Sequence, residues 1–164
     1  MLLNEMCAAG VIENYALFGA IAQMRYTEPI ATLDVDVLLA VPHEERLDVL
    51  SPIYEFCRAK GFNPEGEAIR VGDWPVQFIP AFDAVTREAM RQAETADFEG
   101  IPLRVVSARY LAVIALSVGR PKDLARILGL LEAGSVTRED IGKLATHHGL
   151  TEAWKRFESR FPDE

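Results

Sequence analysis

The sequence predicts an α+β (mixed α/β) fold: a small mixed β-sheet covered by helices, followed by a helical part. Three observations predict it. Short β-rich runs fall before residue 107, helical patterns interleave with them only near the front, and residues 107–164 carry helical patterns alone. The 164 residues read as one domain, 1–164, with a sheet core over 10–106 and a helical C-terminal part over 107–164. A chain of this size buries roughly two thirds of the surface it exposes when unfolded.

Taken in order, the first ten residues form a helix that stops near Gly10. "ENYALFGAIAQMRY" gives a short apolar strand, a small-residue turn at Gly19-Ala20 and a helix. The loop "TEPIATL", punctuated by Pro29, leads into the strand of "IATLDVDVLLAV", which Pro42 ends. Residues 43–60 are helical in pattern with a break at Pro52, where Ser51 caps a second helix that Lys60-Gly61 closes. "EAIRVGDWPVQFIPA" is a hairpin, because Gly72-Asp73 is a glycine-first pair suited to a two-residue turn. Residues 84–94 return to helix and "FEGIPLRVV" is a strand. Ser107 caps a nearly all-apolar helix ending at Gly119, a pattern that marks it as buried. Pro121 opens the next helix, with Leu124, Ile127, Leu128 and Leu131 as its core face, and shorter helices start near Thr137 and Thr151.

A hydrophobic fraction of 49% fits a folded globular chain. The longest apolar run, around "YLAVIALSV", is about half the ~20 residues that span a bilayer. The start "MLLNEMCAAG" lacks a basic segment, so no signal peptide and no membrane contact are expected. Cys7 and Cys57 have no metal spacing and need not pair, which fits a reduced, cytoplasmic protein. The net charge of −8 argues against a protein that coats nucleic acid through bulk electrostatics. That charge is uneven: residues 101–131 carry +4, leaving −12 for the remainder. An acidic strand and a basic helical segment are thus available to face each other across a cleft, although solvated helix faces account for the basic residues equally well.

Asp34 and Asp36 are the anomaly. Strands avoid aspartate, and alternation places both carboxylates on one face while Val35, Val37 and Leu39 take the other. Such a pair repels unless water or a cation neutralises it. Upstream, "LFGAIA" turns a strand end through Gly19 into a helix whose free N–H groups suit phosphate oxygens. Two carboxylates beside that turn are a set that holds Mg²⁺ together with substrate phosphates. The alternative is a tight turn beside a wet strand.

A glycine turn into a helix followed by D-h-D-h, "GAIAQMRYTEPIATLDVDVLL", resembles the nucleotidyltransferase superfamily with the polymerase-β-type core. "WPVQFIPAFDAVTREAMRQAETADFEGIPLRVVSARYLAVIALSVGRPKDLARILGLLE" is similar to the bacterial branch containing the toxin component of abortive-infection toxin–antitoxin systems (AbiEii-like). The resemblance covers about residues 10–132. It implies Mg²⁺- (or Mn²⁺-) dependent transfer of a nucleoside monophosphate from NTP to a hydroxyl acceptor. That acceptor is RNA, a protein or a small molecule, and the resemblance further implies a possible cognate antitoxin. Asp34 and Asp36 match the first two metal-binding acids, and Lys122 of "GRPKD" matches a lysine beside the active site. Gly19, Ala20, Arg25, Gln77 and Arg120 are the expected nucleotide contacts.

Two positions depart from that pattern. Phe18 stands where the superfamily has the first residue of a glycine pair, and Gln77 stands where the third acid is expected. An amide ligates through its carbonyl but carries no charge and takes no proton. Glu67, read as lying on the paired strand of the hairpin, or Asp83 would be the substitute. Two function classes follow: a metal-dependent transferase, or a catalytically degenerate member that binds nucleotide or a partner protein. Capping alone explains Pro121 and Asp123, but not Lys122 at the positive end of a helix. His147 and His148 precede Gly149 at a helix end, and two adjacent histidines without further ligands make a zinc site improbable.

Overall fold

A computed structural model describes residues 1–43 and 48–163. Its centre is a seven-stranded mixed sheet in the order β3-β4-β5-β2-β1-β7-β6. Strand β1 (Asn14–Phe18) runs antiparallel to β2 (Val35–Ala40), pairing Phe18 with Asp36. On its other side β2 runs parallel to β5 (Trp74–Pro80), pairing Asp36 with Gln77. β1 runs parallel to β7 (Ile101–Val105), with Leu17 opposite Val105.

The alternation along β2 sorts two cores. Val37 and Leu39 are fully buried on one face with Tyr15, Met6 and Ile53, beneath α1 (Leu2–Ala8) and α3 (Ser51–Ala59). Leu38 points the other way into a core with Ala16, Ala22 and the helices α2 (Gly19–Gln23), α4 (Ala84–Arg91) and α5 (Ala108–Val118). Asp34 and Asp36 therefore belong to the face on which α2 and α4 pack. Helix α5 carries eight buried residues out of eleven, as expected for an all-apolar pattern. Helices α6 (Pro121–Glu132), α7 (Arg138–His147) and α8 (Thr151–Arg160) complete that core. Among the described residues no helix is long and apolar enough to cross a membrane.

The hairpin from β4 (Ala68–Val71) to β5 forms around Gly72, whose φ of 62° is the positive value a glycine-first turn requires. Several details differ from the sequence expectation. The first helix of the pair read over 43–60 falls partly on residues 44–47, outside the described residues, and the described residues 43 and 48–50 are not helical. Ser51 lies inside the first turn of α3 rather than capping it, and Asp48 accepts from both the Ser51 N–H and its hydroxyl. β6 (Glu94–Phe98) forms where the helix was read to end, and pairs with β7 through a Glu99-Gly100 turn with φ of 52° and 80°. A glutamate at positive φ is an unusual turn residue, so the polar edge strand before it reads as helix or loop. β3 (Pro64–Glu65), two residues at the opposite edge, is too short to leave a periodic signal. Ser107 occupies the N-cap of α5, but its hydroxyl makes no capping hydrogen bond.

Leu111, fully buried at the middle of α5, tests the packing. Leu111→Ala is expected to cost about 2–5 kcal/mol, lowering the thermal midpoint by roughly 2–4 °C per kcal/mol. Leu33→Ala, at a side chain 89% exposed, is expected to stay within about 0.5 kcal/mol of wild type.

Candidate functional site

The turn from β1 into α2 is shaped around Asp36. Gly19 sits at φ 63°, and a β-carbon added there would stand 2.2 Å from Oδ2 of Asp36. The glycine is needed because the carboxylate rests on its bare α-carbon. Phe18 precedes it in extended backbone (φ −135°, ψ −176°), a conformation open to any residue. The missing first glycine therefore leaves no backbone strain, and the Phe18 side chain lines the cleft.

Asp34 lies immediately before β2, where the Thr32 hydroxyl donates to its backbone oxygen (3.1 Å) and to Oδ1 (3.3 Å). Asp36 follows on the same face, and both are half-buried. Burial pushes the Asp36 carboxyl above its usual range, and the Asp34 charge pushes it the same way. Arg126, Lys122 and Arg120 oppose the shift without cancelling it. The parallel register brings Gln77 directly beside Asp36, so an amide stands at the neighbouring position on β5.

Opposite the acids stands α6. Between them lies a cleft of about 1360 Å³, lined by Phe18, Ala20, Asp34, Asp36, Gln77 and the basic residues of α6 among others. Lys122 is exposed within it. Arg120 also lines it, but its guanidinium is tied to Asp123 through Nε (2.7 Å) and Nη2 (3.2 Å). Asp123 is 1% exposed and also accepts from the Arg120 backbone N–H. Burial alone would raise the Asp123 carboxyl, but the Arg120 hydrogen bonds and charge, helped by Arg126, hold it below the usual range.

Arg25 stands apart from the other expected contacts, with its guanidinium 3.5 Å from Glu94 and over the Tyr26 ring. Glu67 is in the turn between β3 and β4 rather than on the hairpin strand, where its carbonyl accepts from the Tyr54 hydroxyl. Asp83 does line the cleft, but its carboxylate caps α4 by accepting from Thr86 N–H at 2.8 Å.

The sequence reading missed two cleft residues. Arg126 lies one helical turn beyond Lys122, and its Nε donates to Oε1 of Gln23 at 3.0 Å. Gln23, 6% exposed, is one turn beyond Gly19 on α2 and packs against Gly129 of α6. The i, i+4 spacing from residues already singled out was the available signal. Asp123 caps the start of α6 as read, accepting from the Arg120 backbone N–H, and it is in addition buried in the α6 contact face with Ile127 and Leu130. Leu124, Leu128 and Leu131, expected on that face, are only partly buried.

Comparison with solved structures places this architecture among nucleotidyltransferase-like folds. An antigenic nucleotidyltransferase-like protein from Paracoccidioides brasiliensis is similar over 94% of this chain and 88% of its own, with TM-score 0.57 and 15% identity. The antibiotic-resistance factor ANT(2'')-Ia is similar in its solution structure over 97% of this chain and 94% of its own (TM-score 0.54, 16% identity). Its crystal structure in complex with adenylyl-2''-tobramycin has the same coverage, with TM-score 0.50 and 14% identity. No family model and no curated protein matches the chain.

Two outcomes test this geometry. Gly19→Ala adds a left-handed backbone penalty of about 1–2 kcal/mol to a clash with Asp36. A melt should show a loss of at least that size. Asp36→Asn is expected to raise the midpoint of the metal-free protein at neutral pH. Its folded carboxyl is raised, so the native state holds a proton that the unfolded state releases, and stability falls as pH climbs from about 3.9 through the raised value. The gain of the amide over the acid should therefore fade as melts are taken down towards about pH 4.

Proposed function

We propose that the protein binds a nucleoside triphosphate in this cleft with a divalent cation, and transfers the nucleoside monophosphate to a hydroxyl acceptor. The observation that carries the proposal is the placement of Asp36. Its half-buried carboxylate is seated on Gly19, crowded by Asp34 and faced by Lys122 and Arg126 across the cleft. The donors fit Mg²⁺ or Mn²⁺, being carboxylate oxygens with an amide oxygen from Gln77 as the further candidate. Asp34 and Asp36 would hold the ion, which when bound neutralises their repulsion and carries the triphosphate. Ala20, at the start of α2, meets the phosphates through backbone, and Arg120 assists from α6. Lys122 faces the charge that develops on the transferring phosphoryl group. Arg126, fixed by Gln23 and Asp123, lends positive charge that favours the ionised form of Asp36. Arg25 would reach a nucleotide only by leaving Glu94.

The acceptor belongs to the hydroxyl class, on RNA, a protein or a small molecule. The order of acidic strand, β5, α4, β7 and the "GRPKD" helix start supports the AbiEii-like toxin branch of bacterial systems, with a cognate antitoxin and a cytoplasmic setting. A second reading rests on one observation, the Asp36–Gln77 pair. With a neutral amide at the third position the activation of the acceptor is weakened, and the chain serves as a nucleotide- or partner-binding module.

Pyrophosphate release separates the two readings. Each of the four NTPs is supplied with Mg²⁺ and a pool of RNA, protein and polyol acceptors. Wild type is expected to release pyrophosphate slowly, Gln77→Asp faster, and Lys122→Ala about a hundredfold or more slower than wild type. Nucleotide binding without release from either wild type or Gln77→Asp would favour the binding module.

A further inference from the structure

Away from the cleft, α4 and the end of α7 bring three ligand atoms together. Glu88, His147 and His148 each offer a donor, and these donors all lie within 4.8 Å of one another. Nε2 of His148 is 2.9 Å from Oε2 of Glu88, and Nε2 of His147 is 3.4 Å from the same oxygen. Ligands held at 2.0–2.1 Å around a tetrahedral ion stand about 3.3 Å apart, so both Glu88–histidine distances fit a coordination shell, and the three donors need only a small adjustment to close on one ion.

Two further observations set this cluster apart from an ordinary ion pair. The His148 side chain is 5% exposed, yet its buried Nε2 makes no aligned hydrogen bond despite its approach to Glu88. The close approach of nitrogen and carboxylate is therefore not accounted for by a hydrogen bond between them. A pair would also need only one imidazole, and here two converge on one oxygen. The Tyr110 hydroxyl of α5 lies within reach of the Glu88 carboxylate, and the Tyr110 ring packs edge-on to His148 at 6.4 Å. An outer partner that orients a ligating carboxylate is the usual companion of a metal site.

We infer that Glu88, His147 and His148 form a site for a zinc-class divalent cation, which clamps α4 to the end of α7 independently of the acidic cleft. Two imidazoles and one carboxylate are borderline donors suited to Zn²⁺ and leave a fourth position for water. The adjacent histidines that lack a third ligand in sequence acquire one from 59 residues upstream of His147 through the packing of α4. The N-terminus of α4 is capped by Asp83, which lines the cleft, so the clamp would also steady that wall.

The test uses tag-free full chain, stripped with chelator and titrated with Zn²⁺ by calorimetry, and with Co²⁺ as a visible-absorption probe. Wild type is expected to take up one Zn²⁺ per chain, to give the intense spectrum of four-coordinate Co²⁺, and to melt higher with Zn²⁺. Glu88→Gln and His147→Ala, the latter at a side chain 65% exposed, should keep their circular dichroism and lose at least about tenfold in affinity. Asp34→Asn/Asp36→Asn should keep the uptake. Failure of wild type to bind one equivalent, or retention of full affinity by both Glu88→Gln and His147→Ala, would overturn the assignment.

Discussion

The carboxylate of Asp36 lies on the α-carbon of Gly19, at a separation no β-carbon would permit. Much of the cleft follows from that contact. It stands where β1 ends and α2 begins, at a glycine in positive φ, and it excludes any side chain there. It also holds the acid half-buried beside a second acid, where ionisation is disfavoured. A fold does not gain stability by half-burying an acid beside a like charge, and the Asp36 carboxyl is raised first by that burial and second by the Asp34 charge. Sites whose local rules are broken in this way are where function is expected.

The partial relief comes from α6, whose own charges are arranged by a buried acid. Asp123 draws Arg120 onto itself and lies 4.0 Å from Arg126, and Gln23 holds Arg126 from the other side. Lys122, between them in sequence, is left exposed in the cleft. The uneven charge of the chain, +4 over residues 101–131 against −12 elsewhere, thus has a structural counterpart in an acidic strand facing a basic helix. The Zn²⁺ clamp proposed between α4 and α7 lies outside this balance and draws on a different donor chemistry.

Much of this was legible in the sequence. Alternation along "DVDVLLA" gave the two faces of β2, and the all-apolar run after Ser107 gave the buried helix α5. The role of Gly19 was legible only in part. A glycine before a helix suggests room for phosphate, whereas the atom that needs the room comes from β2, and only the register discloses it. Arg126, Gln23 and the burial of Asp123 were illegible for a related reason, since a polar residue on a helix reads as surface until the helix it faces is known. β6 was missed because its turn uses Glu99 where asparagine or aspartate is usual. The pairing of His147 and His148 with Glu88 depends on α4 packing beside α7, which no spacing rule supplies.

The central claim is that Asp34 and Asp36 seat a divalent cation with a nucleotide, and a thermal melt tests it most directly. Wild type and Asp34→Asn/Asp36→Asn are melted with Mg²⁺ and each of the four NTPs in turn. Ligand at a hundred times its dissociation constant adds about 2.7 kcal/mol, a rise of roughly 5–11 °C for a chain of this size. The account predicts a Mg²⁺-dependent rise with at least one NTP in wild type and none in the double variant. No rise with any NTP, or an equal rise in the double variant, would contradict it.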